Sequence, residues 1–425
     1  MRFILLMLTF TTSSLLAIDV TPFTWPAGVS NRGPYPTITA THTVVLTPNS
    51  NTPTENELAS HRYHHQVRMV VTNNTIIMAL TSAGWDEGGD GLQVHLFWST
   101  NRGANWSAPV QALPSLSTFA HLTYSTNSLF PNPTCFGNVG GTNYLVTDIT
   151  QNDTNAEWQA RLLIAQAVFP NGTVGPAYRV SPNDWSNNVV AISNLPYNTT
   201  IAGPLLNEAK IYGQWGGSWG NSTTPMEWGS FFKTNSNSLI EPATVSADGS
   251  TNNLYRLCRV LGGYTGGFTN DQWIGQYWST NGGAGWSLPY PTSIPNAPAS
   301  AAMIRLSDGR FCMVGNPNNW PGDLSVRRDP LYLAITEPNS TLFTNVWAIR
   351  QYLTNYPTWS GGSKLGGADY PGIVQFGNYL YVGYSITKEK VAFSRVLLPN
   401  LEDNNNDCVA GPAQSVATIG TLIKR

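Results

Sequence analysis

Charged side chains are scarce in this chain: Lys, Arg, Asp and Glu make up 11% of its 425 residues, against about 25% in ordinary soluble domains. The 22 basic and 24 acidic residues leave a formal charge of −2, which argues against nucleic acid or an anionic membrane as partner. Disorder is not indicated, because 41% of the residues are hydrophobic and 15 are Trp. This neutral, aromatic-rich composition suits a neutral or weakly charged ligand such as a sugar.

Long apolar runs are missing beyond the first residues, and none approaches the ~20 apolar residues of a membrane span. Residues 1–17 carry an early Arg2, then an apolar run, and end in small residues at Ala17. This pattern predicts a secretory signal peptide, so we expect 18–425 to be one exported domain without a membrane anchor. Seven Asn-x-Ser/Thr sites suggest a glycoprotein. They are Asn73, Asn105, Asn152, Asn171, Asn198, Asn221 and Asn339.

Cysteine is also sparse, with only four residues: Cys135, Cys258, Cys312 and Cys408. In an oxidising compartment an even number favours disulfides, and the sequence leaves all three pairings open. None of the four lies in a CxxC or His/Cys arrangement, so we expect no zinc site. No motif implies a metal or an organic cofactor.

Helical periodicity is almost absent, and short β-rich runs follow turn dipeptides along the chain instead. Strands also precede most of these turns, which predicts repeated antiparallel hairpins. The turn dipeptides are Asn73-Asn74, Gly140-Gly141, Asp248-Gly249, Asp308-Gly309 and Gly377-Asn378. Hairpins at this spacing are typical of a sandwich, a barrel or a propeller.

One internal repeat favours the propeller. The eleven residues 97–107 recur as 277–287 with eight identities, and both copies fit the pattern Ser-x-Asp-x-Gly-x-x-Trp with Asn101 and Asn281 in place of Asp. The pattern resembles the Asp-box of sialidase-superfamily β-propellers. The resemblance implies an all-β, six-bladed propeller in which Trp106 and Trp286 have a structural role.

Counting along the hairpins predicts a common site. Glu241 lies eight residues before Gly249 and Arg259 lies ten after it, so both should project from the end opposite the turn. Tyr370, seven residues before Gly377, occupies the same end of its own hairpin. The same counting places His64, His65 and, beyond the second strand of the first hairpin, Asp86 at this end. In a propeller these ends converge on one face.

The same positions resemble the sialidase pattern from about residue 63 to 396. In that family a Glu opens a hairpin whose second strand ends in a substrate-binding Arg, as Glu241 and Arg259 do here. A later arginine corresponds to Arg328, and a nucleophilic tyrosine to Tyr370. The resemblance also implies an acid/base aspartate, for which Asp86 is the first candidate and Glu87 and Asp90 the alternatives.

One departure bears on the substrate. Sialidases open the first hairpin with Arg-Ile-Pro, the first member of an arginine triad that grips the sialic-acid carboxylate. Here the matching stretch is Tyr63-His64-His65-Gln66-Val67. A lost arginine removes charge-assisted hydrogen bonds worth roughly 1.5–3 kcal/mol each. We therefore expect an acidic sugar, sialic or uronic, held by Arg259 and Arg328.

The resulting hypothesis is a secreted exo-glycosidase that acts on a glycan. Tyr370 would attack the anomeric carbon, Glu241 would take its proton and Asp86 would protonate the leaving oxygen. A second hypothesis is a polysaccharide lyase in which His64 or His65 acts with Arg259 and Tyr370. A third is a non-catalytic, sugar-binding propeller that uses the Trp-rich stretch 212–219. Structural roles also stay open: a Glu241–Arg259 salt bridge, a packing role for Tyr370, and a solvated loop at 86–90.

Overall fold

The computed structural model describes most of the chain between residues 35 and 399. The described ranges are 35–49, 52–53, 57–84, 92–113, 129–152, 158–180, 195–213, 232–234, 237–261, 273–287, 290–297, 299–316, 328–338, 340–351, 353, 364 and 366–399. Within them the chain forms five antiparallel sheets, one 3₁₀ turn at Leu58–Ser60 and one α-helix. We call the sheets blades I to V.

Four blades follow one another along the chain, each built from consecutive strands. Blade I holds β2–β5 and blade II holds β6–β9, after an N-terminal strand, β1 (Ala40–Leu46). Their bounds are β2 (Tyr63–Thr72), β3 (Thr75–Ala83), β4 (Gln93–Ser99), β5 (Val110–Gln111), β6 (Leu129–Val139), β7 (Thr142–Asn152), β8 (Trp158–Val168) and β9 (Val174–Arg179). Blade III holds β10–β14 and blade IV holds β15–β18. Their bounds are β10 (Phe232–Thr234), β11 (Asn237–Ser246), β12 (Leu254–Leu261), β13 (Trp273–Ser279), β14 (Tyr290–Pro295), β15 (Ala302–Arg305), β16 (Phe311–Gly315), β17 (Leu331–Thr336) and β18 (Phe343–Arg350).

Blade V is assembled from both ends of the described chain. It contains β19 (Ala368–Phe376), β20 (Tyr379–Ile386) and β21 (Lys390–Leu397), and its fourth strand is β1, which pairs antiparallel with β21. This pairing closes the ring of blades.

The five predicted hairpin turns are confirmed, because each joins two neighbouring antiparallel strands of a blade. Asn73 and Asn74 have φ of +46° and +62°, and glycines occupy left-handed positions in the other four turns. Asn and Gly are the residues that adopt this conformation at least cost.

The blade count predicted from the resemblance was wrong: the described residues form five blades, not six. Each of the five predicted turns lies in a different blade. Between blades II and III the chain inserts α1 (Thr199–Tyr212), capped by the Asn198 side chain, which accepts from Thr200 N at 3.1 Å. Helix α1 contacts both β6 and β11, so it fills the space between these blades.

Apolar side chains fill the interfaces between neighbouring blades. Separate buried clusters join blades I and II, III and IV, IV and V, and V and I. A further cluster joins blade II to α1 through Ile201 and Leu205. Strands in such interfaces are buried on both faces, as β3 is throughout its length. This explains why their sequences are continuous apolar runs rather than alternating ones.

Both Asp-box copies adopt the same structure, on the connections from β4 to β5 and from β13 to β14. In the first copy Asn101 Oδ1 accepts from Asn105 N at 2.9 Å and Ser99 Oγ accepts from Gly103 N at 2.8 Å. The second copy has the equivalent bonds at 2.8 and 3.0 Å. Asn therefore supplies the acceptor that Asp supplies in the usual pattern.

The two box tryptophans pack against the blades, which confirms their structural role. Trp106 contacts Phe393 of blade V edge-on, with ring centroids 5.0 Å apart. Trp286 contacts Tyr277 in the same way at 5.1 Å, and the Arg256 guanidinium lies 3.8 Å from its ring centroid.

A framework of two disulfides is excluded. Two bonds among four cysteines require at least one between two of Cys135, Cys258 and Cys312, and these three are buried free thiols. Cys408 lies outside the described residues, as do the predicted signal peptide, Asn221, Asn339 and residues 214–219 of the Trp-rich stretch. None of the helices in the described ranges has the length and apolar character needed to cross a bilayer.

Candidate active site

Three strands, each the first strand of one of the predicted hairpins, carry the same backbone irregularity. Gln66 in β2, Glu241 in β11 and Tyr370 in β19 have φ of +55°, +53° and +50°, and the pairing register shifts at each. A β-bulge re-aims the side chain at that point of the strand. Such left-handed non-glycine residues cost about 1–3 kcal/mol each and cluster at functional sites. Two of the three were predicted site residues.

Tyr370, Glu241 and Arg259 form one hydrogen-bonded group, although they come from blades III and V. The Tyr370 hydroxyl donates to Glu241 Oε1 at 3.0 Å. Arg259 Nη1 donates to the same hydroxyl at 2.9 Å and to both Glu241 oxygens at 3.0 and 3.1 Å. A tyrosine that only packed would not need a carboxylate and a guanidinium on its oxygen. The arrangement can pass the phenol proton to Glu241 while Arg259 stabilises the phenolate.

Arg328 lies on the face of the Tyr370 ring, with its guanidinium carbon 5.1 Å from the ring centroid. Its Nη1 donates to Asp369, whose other oxygen accepts from Ser385. Burial alone would lower the pKa of Arg328, but the attraction of Asp369 and Tyr370 raises that pKa above its usual range. The guanidinium therefore stays charged at a depth where only 4% of the residue is exposed.

Asn316 holds the Arg328 segment against β19. Its side-chain amide donates to the carbonyls of Arg328, Pro330 and Ala368 at 2.8, 3.1 and 2.8 Å. Ala368 N also donates to Arg328 O at 3.0 Å. Asn316 and Asp369 were not predicted from the sequence. A carboxylate directly before the candidate nucleophile was a signal for Asp369, whereas nothing in the sequence marked Asn316.

His65 belongs to this group and His64 does not. The His65 ring packs on Tyr370 with centroids 3.7 Å apart. Burial, reinforced by the charges of Lys388, Arg328 and the two other nearby arginines, lowers the pKa of His65 well below its usual range. Burial also lowers the pKa of His64, to about 3, and its charged neighbours are His61 and Lys364. Adjacent residues of a strand face opposite sides, which explains the separation.

Arg68 of blade I lies near the Tyr370 group, since its charge acts on His65 and on Glu241, but its hydrogen bonds go to the backbone. Arg68 donates through Nε to Thr134 O at 3.0 Å and through Nη1 to Val67 O at 2.6 Å, so it ties backbone together. Burial lowers its pKa to about 10. Asp86, Glu87 and Asp90, the candidates for the acid, lie outside the described residues. Among the side chains that the structure describes, no cluster of three or more His, Cys, Asp and Glu is suited to a metal ion.

Comparisons with known proteins agree with this architecture. Residues 216–382 match the family model described as a BNR repeat-like domain, and this range contains Glu241, Arg259, Arg328 and Tyr370. No curated protein matches the chain. Among solved structures, a sialidase aligns with a TM-score of 0.65 at 17% identity, over 89% of this chain and 35% of its own.

The sialidase of Trypanosoma rangeli aligns with a TM-score of 0.51 at 11% identity, over 84% of this chain and 59% of its own. Its complex with 2,3-difluorosialic acid, described as a covalent intermediate, gives 0.50 at 12% identity, over 85% of this chain and 59% of its own. The chain thus spans 35% to 59% of the length of these structures. At such identities the likeness establishes the fold, which is a sialidase-like β-propeller.

Proposed function

We propose that the protein is a glycoside hydrolase of sialidase type that removes a terminal acidic sugar from a glycan. One observation carries the proposal: the Tyr370 hydroxyl lies 3.0 Å from Glu241 Oε1 and 2.9 Å from Arg259 Nη1. These are the distances of a nucleophile in contact with its base and with a charge-stabilising donor. The fold supports the same reaction class by analogy.

The reaction proceeds in two displacements. In the first, the Tyr370 oxygen bonds to the anomeric carbon, the phenol proton passes to Glu241, and the glycosidic bond breaks as the leaving oxygen takes a proton from the acid, for which Asp86 is our candidate. In the second, water gives one proton to the Asp86 carboxylate as its oxygen bonds to the anomeric carbon, the bond to Tyr370 breaks, and the phenolate regains the proton from Glu241. A neutral phenol can approach a centre beside a carboxylate without like-charge repulsion, which suits an acidic sugar.

Arg259 and Arg328 bind the sugar carboxylate in this proposal. Each guanidinium is fixed by a protein carboxylate, Glu241 or Asp369, so its direction is set before substrate arrives. Preorganised charge of this kind avoids the cost of ordering side chains during binding. Secretion and glycosylation, predicted from residues 1–17 and the Asn-x-Ser/Thr sites, are part of the same proposal and place the enzyme where glycans are accessible.

The lyase and the sugar-binding module predict different products. A lyase needs a base for a carbon-bound proton, and the lowered pKa of His65 makes that imidazole a weak base. An unsaturated product that absorbs in the ultraviolet would indicate the lyase, and binding without turnover would indicate the sugar-binding module.

The proposal is tested with glycans that end in sialic or uronic acid. Tyr370→Phe should lower kcat by about a thousandfold or more, because the nucleophilic oxygen is removed while the ring remains. Tyr379→Phe is the matched control, since that ring lies at the turn end of the same hairpin. Comparable release of reducing sugar by wild type and Tyr370→Phe would overturn the nucleophile, and no release from any such glycan would overturn the hydrolase.

A further inference from the structure

A cavity of about 60 Å³ is lined by residues from all five blades. The lining residues lie on β2, β6, β11, β15 and β19, and one more, Tyr212, ends helix α1. Thr244 of the lining follows Glu241 by three residues, and Gly372 follows Tyr370 by two. The cavity therefore lies within about 10 Å of the candidate active site along these strands. Its volume admits a small ion or a few water molecules.

The polar side chains of this lining are all able to donate a hydrogen bond. They are Arg68, Thr134, Cys135, Tyr212 and Thr244, and no Asp or Glu is among the described residues of the lining. Burial raises the pKa of the Cys135 thiol above its usual range, and it raises the pKa of Tyr212 to about 12. Both groups therefore keep their hydrogen at neutral pH and add no negative charge to the cavity.

Arg68 is the charged residue of the lining, and it is only 8% exposed. Its Nε and Nη1 atoms donate to the carbonyls of Thr134 and Val67 at 3.0 and 2.6 Å. Within the described part of the chain, its Nη2 atom has no hydrogen-bond acceptor and its guanidinium forms no ion pair. Burial lowers the pKa of Arg68 only to about 10, so the group is charged at neutral pH. A buried charge bonded only to neutral groups is costly, which favours an anion beside it.

Two carboxylates act on the lining from outside it. Glu241 attracts Arg68 at longer range, but both of its oxygens accept from Arg259 Nη1, at 3.0 and 3.1 Å. Glu208, on α1, acts on Cys135. Neither carboxylate is within ion-pair distance of Arg68, so the position beside Nη2 is open to an acceptor from solution.

Thr244 supplies a second donor, from blade III. Arg256 Nε donates to Thr244 Oγ1 at 2.7 Å. Because this oxygen already accepts from Arg256, the hydroxyl can donate its own hydrogen into the cavity. Donors from two blades thus line the same small volume.

We propose that this cavity binds one monovalent anion of the size of chloride, which accepts hydrogen bonds from Arg68 Nη2 and from the Thr244 hydroxyl. One guanidinium balances one negative charge. Sulfate or phosphate would leave a second charge uncompensated among apolar walls such as Met69 and Phe136. The bound ion links blades I and III and stabilises the folded ring. Neither turnover nor an acidic sugar is required, so this site is independent of the proposed function.

The test is urea denaturation near neutral pH in sodium chloride from about 5 to about 200 mM, with sodium gluconate added to keep the ionic strength constant. Gluconate is the reference anion because it is too large for a cavity of about 60 Å³. Arg68→Gln removes the charge and Arg68→Lys retains it. Arg310→Gln is the matched control. Arg310 is also buried and its Nη2 donates to Pro399 O at 3.0 Å, but it is not part of the lining.

A site that is half-saturated at about 20 mM chloride should raise the folding equilibrium constant of wild type about ninefold over this range. Arg310→Gln should show the same increase, Arg68→Lys a smaller one and Arg68→Gln none. Sulfate should stabilise wild type less than chloride does, the reverse of the order that exclusion of salts from the surface produces. If Arg68→Gln folds poorly, the anomalous signal of bromide in wild-type crystals locates the site. That signal should lie within hydrogen-bond distance of Arg68 Nη2 and Thr244 Oγ1.

A wild-type stability that does not depend on chloride at constant ionic strength would overturn the inference. The same chloride dependence in Arg68→Gln as in wild type would also overturn it, as would a bromide signal found only outside the cavity. These measurements involve no glycan. Their failure therefore leaves the proposed hydrolase as it was, and failure of the glycan assays leaves the anion site as it was.

Discussion

Acidification should destabilise this protein steeply, because three histidines are fully buried in blade I. These are His64, His65 and His95, each at most 2% exposed. Burial is the first cause of a lowered pKa in all three, and the pKa of His64 falls to about 3. An unfolded histidine has its ordinary pKa of about 6.5. Below pH 6.5 the unfolded chain therefore binds protons that the folded chain does not, so stability is lost as pH falls.

The magnitude follows from His64. A pH of 5 is about 1.5 units below the pKa of an unfolded histidine and still above the pKa of His64 in the folded protein. Protonation of this one side chain in the unfolded state therefore lowers the free energy of unfolding by about 2 kcal/mol. His65 and His95 act in the same direction. Even the loss from His64 alone is a substantial part of the roughly 5–15 kcal/mol that stabilises a typical domain.

The assay is urea denaturation between pH 7.5 and 5.0, with the free energy of unfolding plotted against pH. The slope of this plot gives the number of protons that the chain takes up when it unfolds. Below pH 6.5 that number should approach three for wild type and about two for His64→Gln. His42, exposed on β1 and bonded to Ser394 Oγ at 2.8 Å, provides the comparison His42→Gln. Partial burial and the charge of Arg350 lower the pKa of His42 as well, so this variant should reduce the slope, but by less than His64→Gln. A wild-type slope below one proton between pH 6.5 and 5.0 would refute the reasoning, since it would mean that these imidazoles are protonated in the folded state.

Three further predictions concern stability. Arg256→Met should cost about 3 kcal/mol or more in urea denaturation, because the buried guanidinium bonds to Thr244 Oγ1 at 2.7 Å and Ile211 O at 2.6 Å; a loss under 1 kcal/mol would contradict this role. Gly372→Ala should lower Tm, because the new Cβ would lie 2.6 Å from Val67 O. Gly203→Ala is the control in α1, where the new Cβ meets open space, and it should raise stability by about 0.5–1 kcal/mol. Equal effects of the two changes would argue against the close approach of β2 and β19. Asn101→Asp should be tolerated and Asn101→Ala should cost about 1 kcal/mol, since only the former keeps the acceptor for Asn105 N; equal Tm values for the two variants would show that this bond contributes nothing.

Much of the fold was predictable because its signals are local. Each hairpin turn needs a left-handed dipeptide, so Asn73-Asn74 and Gly140-Gly141 are visible in the sequence without knowledge of the rest of the chain. The Asp-box is equally local, since its bonds join residues at most nine positions apart. The number of blades, in contrast, has no local signal in the sequence, and the number six that the resemblance implied was wrong.

Helix α1 was missed for a related reason. Ile201, Leu205 and Ala209 are buried against blade II, and other residues of the helix contact blade III. A helix covered on more than one side lacks the single apolar stripe that periodicity detects. Pro204, the sixth residue of the helix, also weakens the pattern, because proline cannot donate the backbone hydrogen bond at that position.

The candidate site was predictable where strand counting applied and not elsewhere. Glu241, Arg259 and Tyr370 were located from their distance to a turn, and the structure brings them into contact. Lys388, whose ammonium lies 5.4 Å from the Tyr370 ring centroid, was not predicted to lie there, because the run Lys388-Glu389-Lys390 has the composition of a solvated turn. Its burial depends on β2 packing against that turn, which sequence spacing cannot encode.

The pairing of β1 with β21 has a consequence for how the ring is made. These strands are joined by bonds between residues about 350 positions apart, such as the one from Leu397 N to Thr39 O at 3.3 Å. During synthesis β1 emerges early and has no partner until residue 397 has left the ribosome, so the last blade can be completed only after translation of nearly the entire described chain. A newly synthesised chain in which β1 and β21 are not yet paired should therefore be the species most exposed to proteases and to aggregation. Removal of residues 35–46 should leave the protein in this unpaired form.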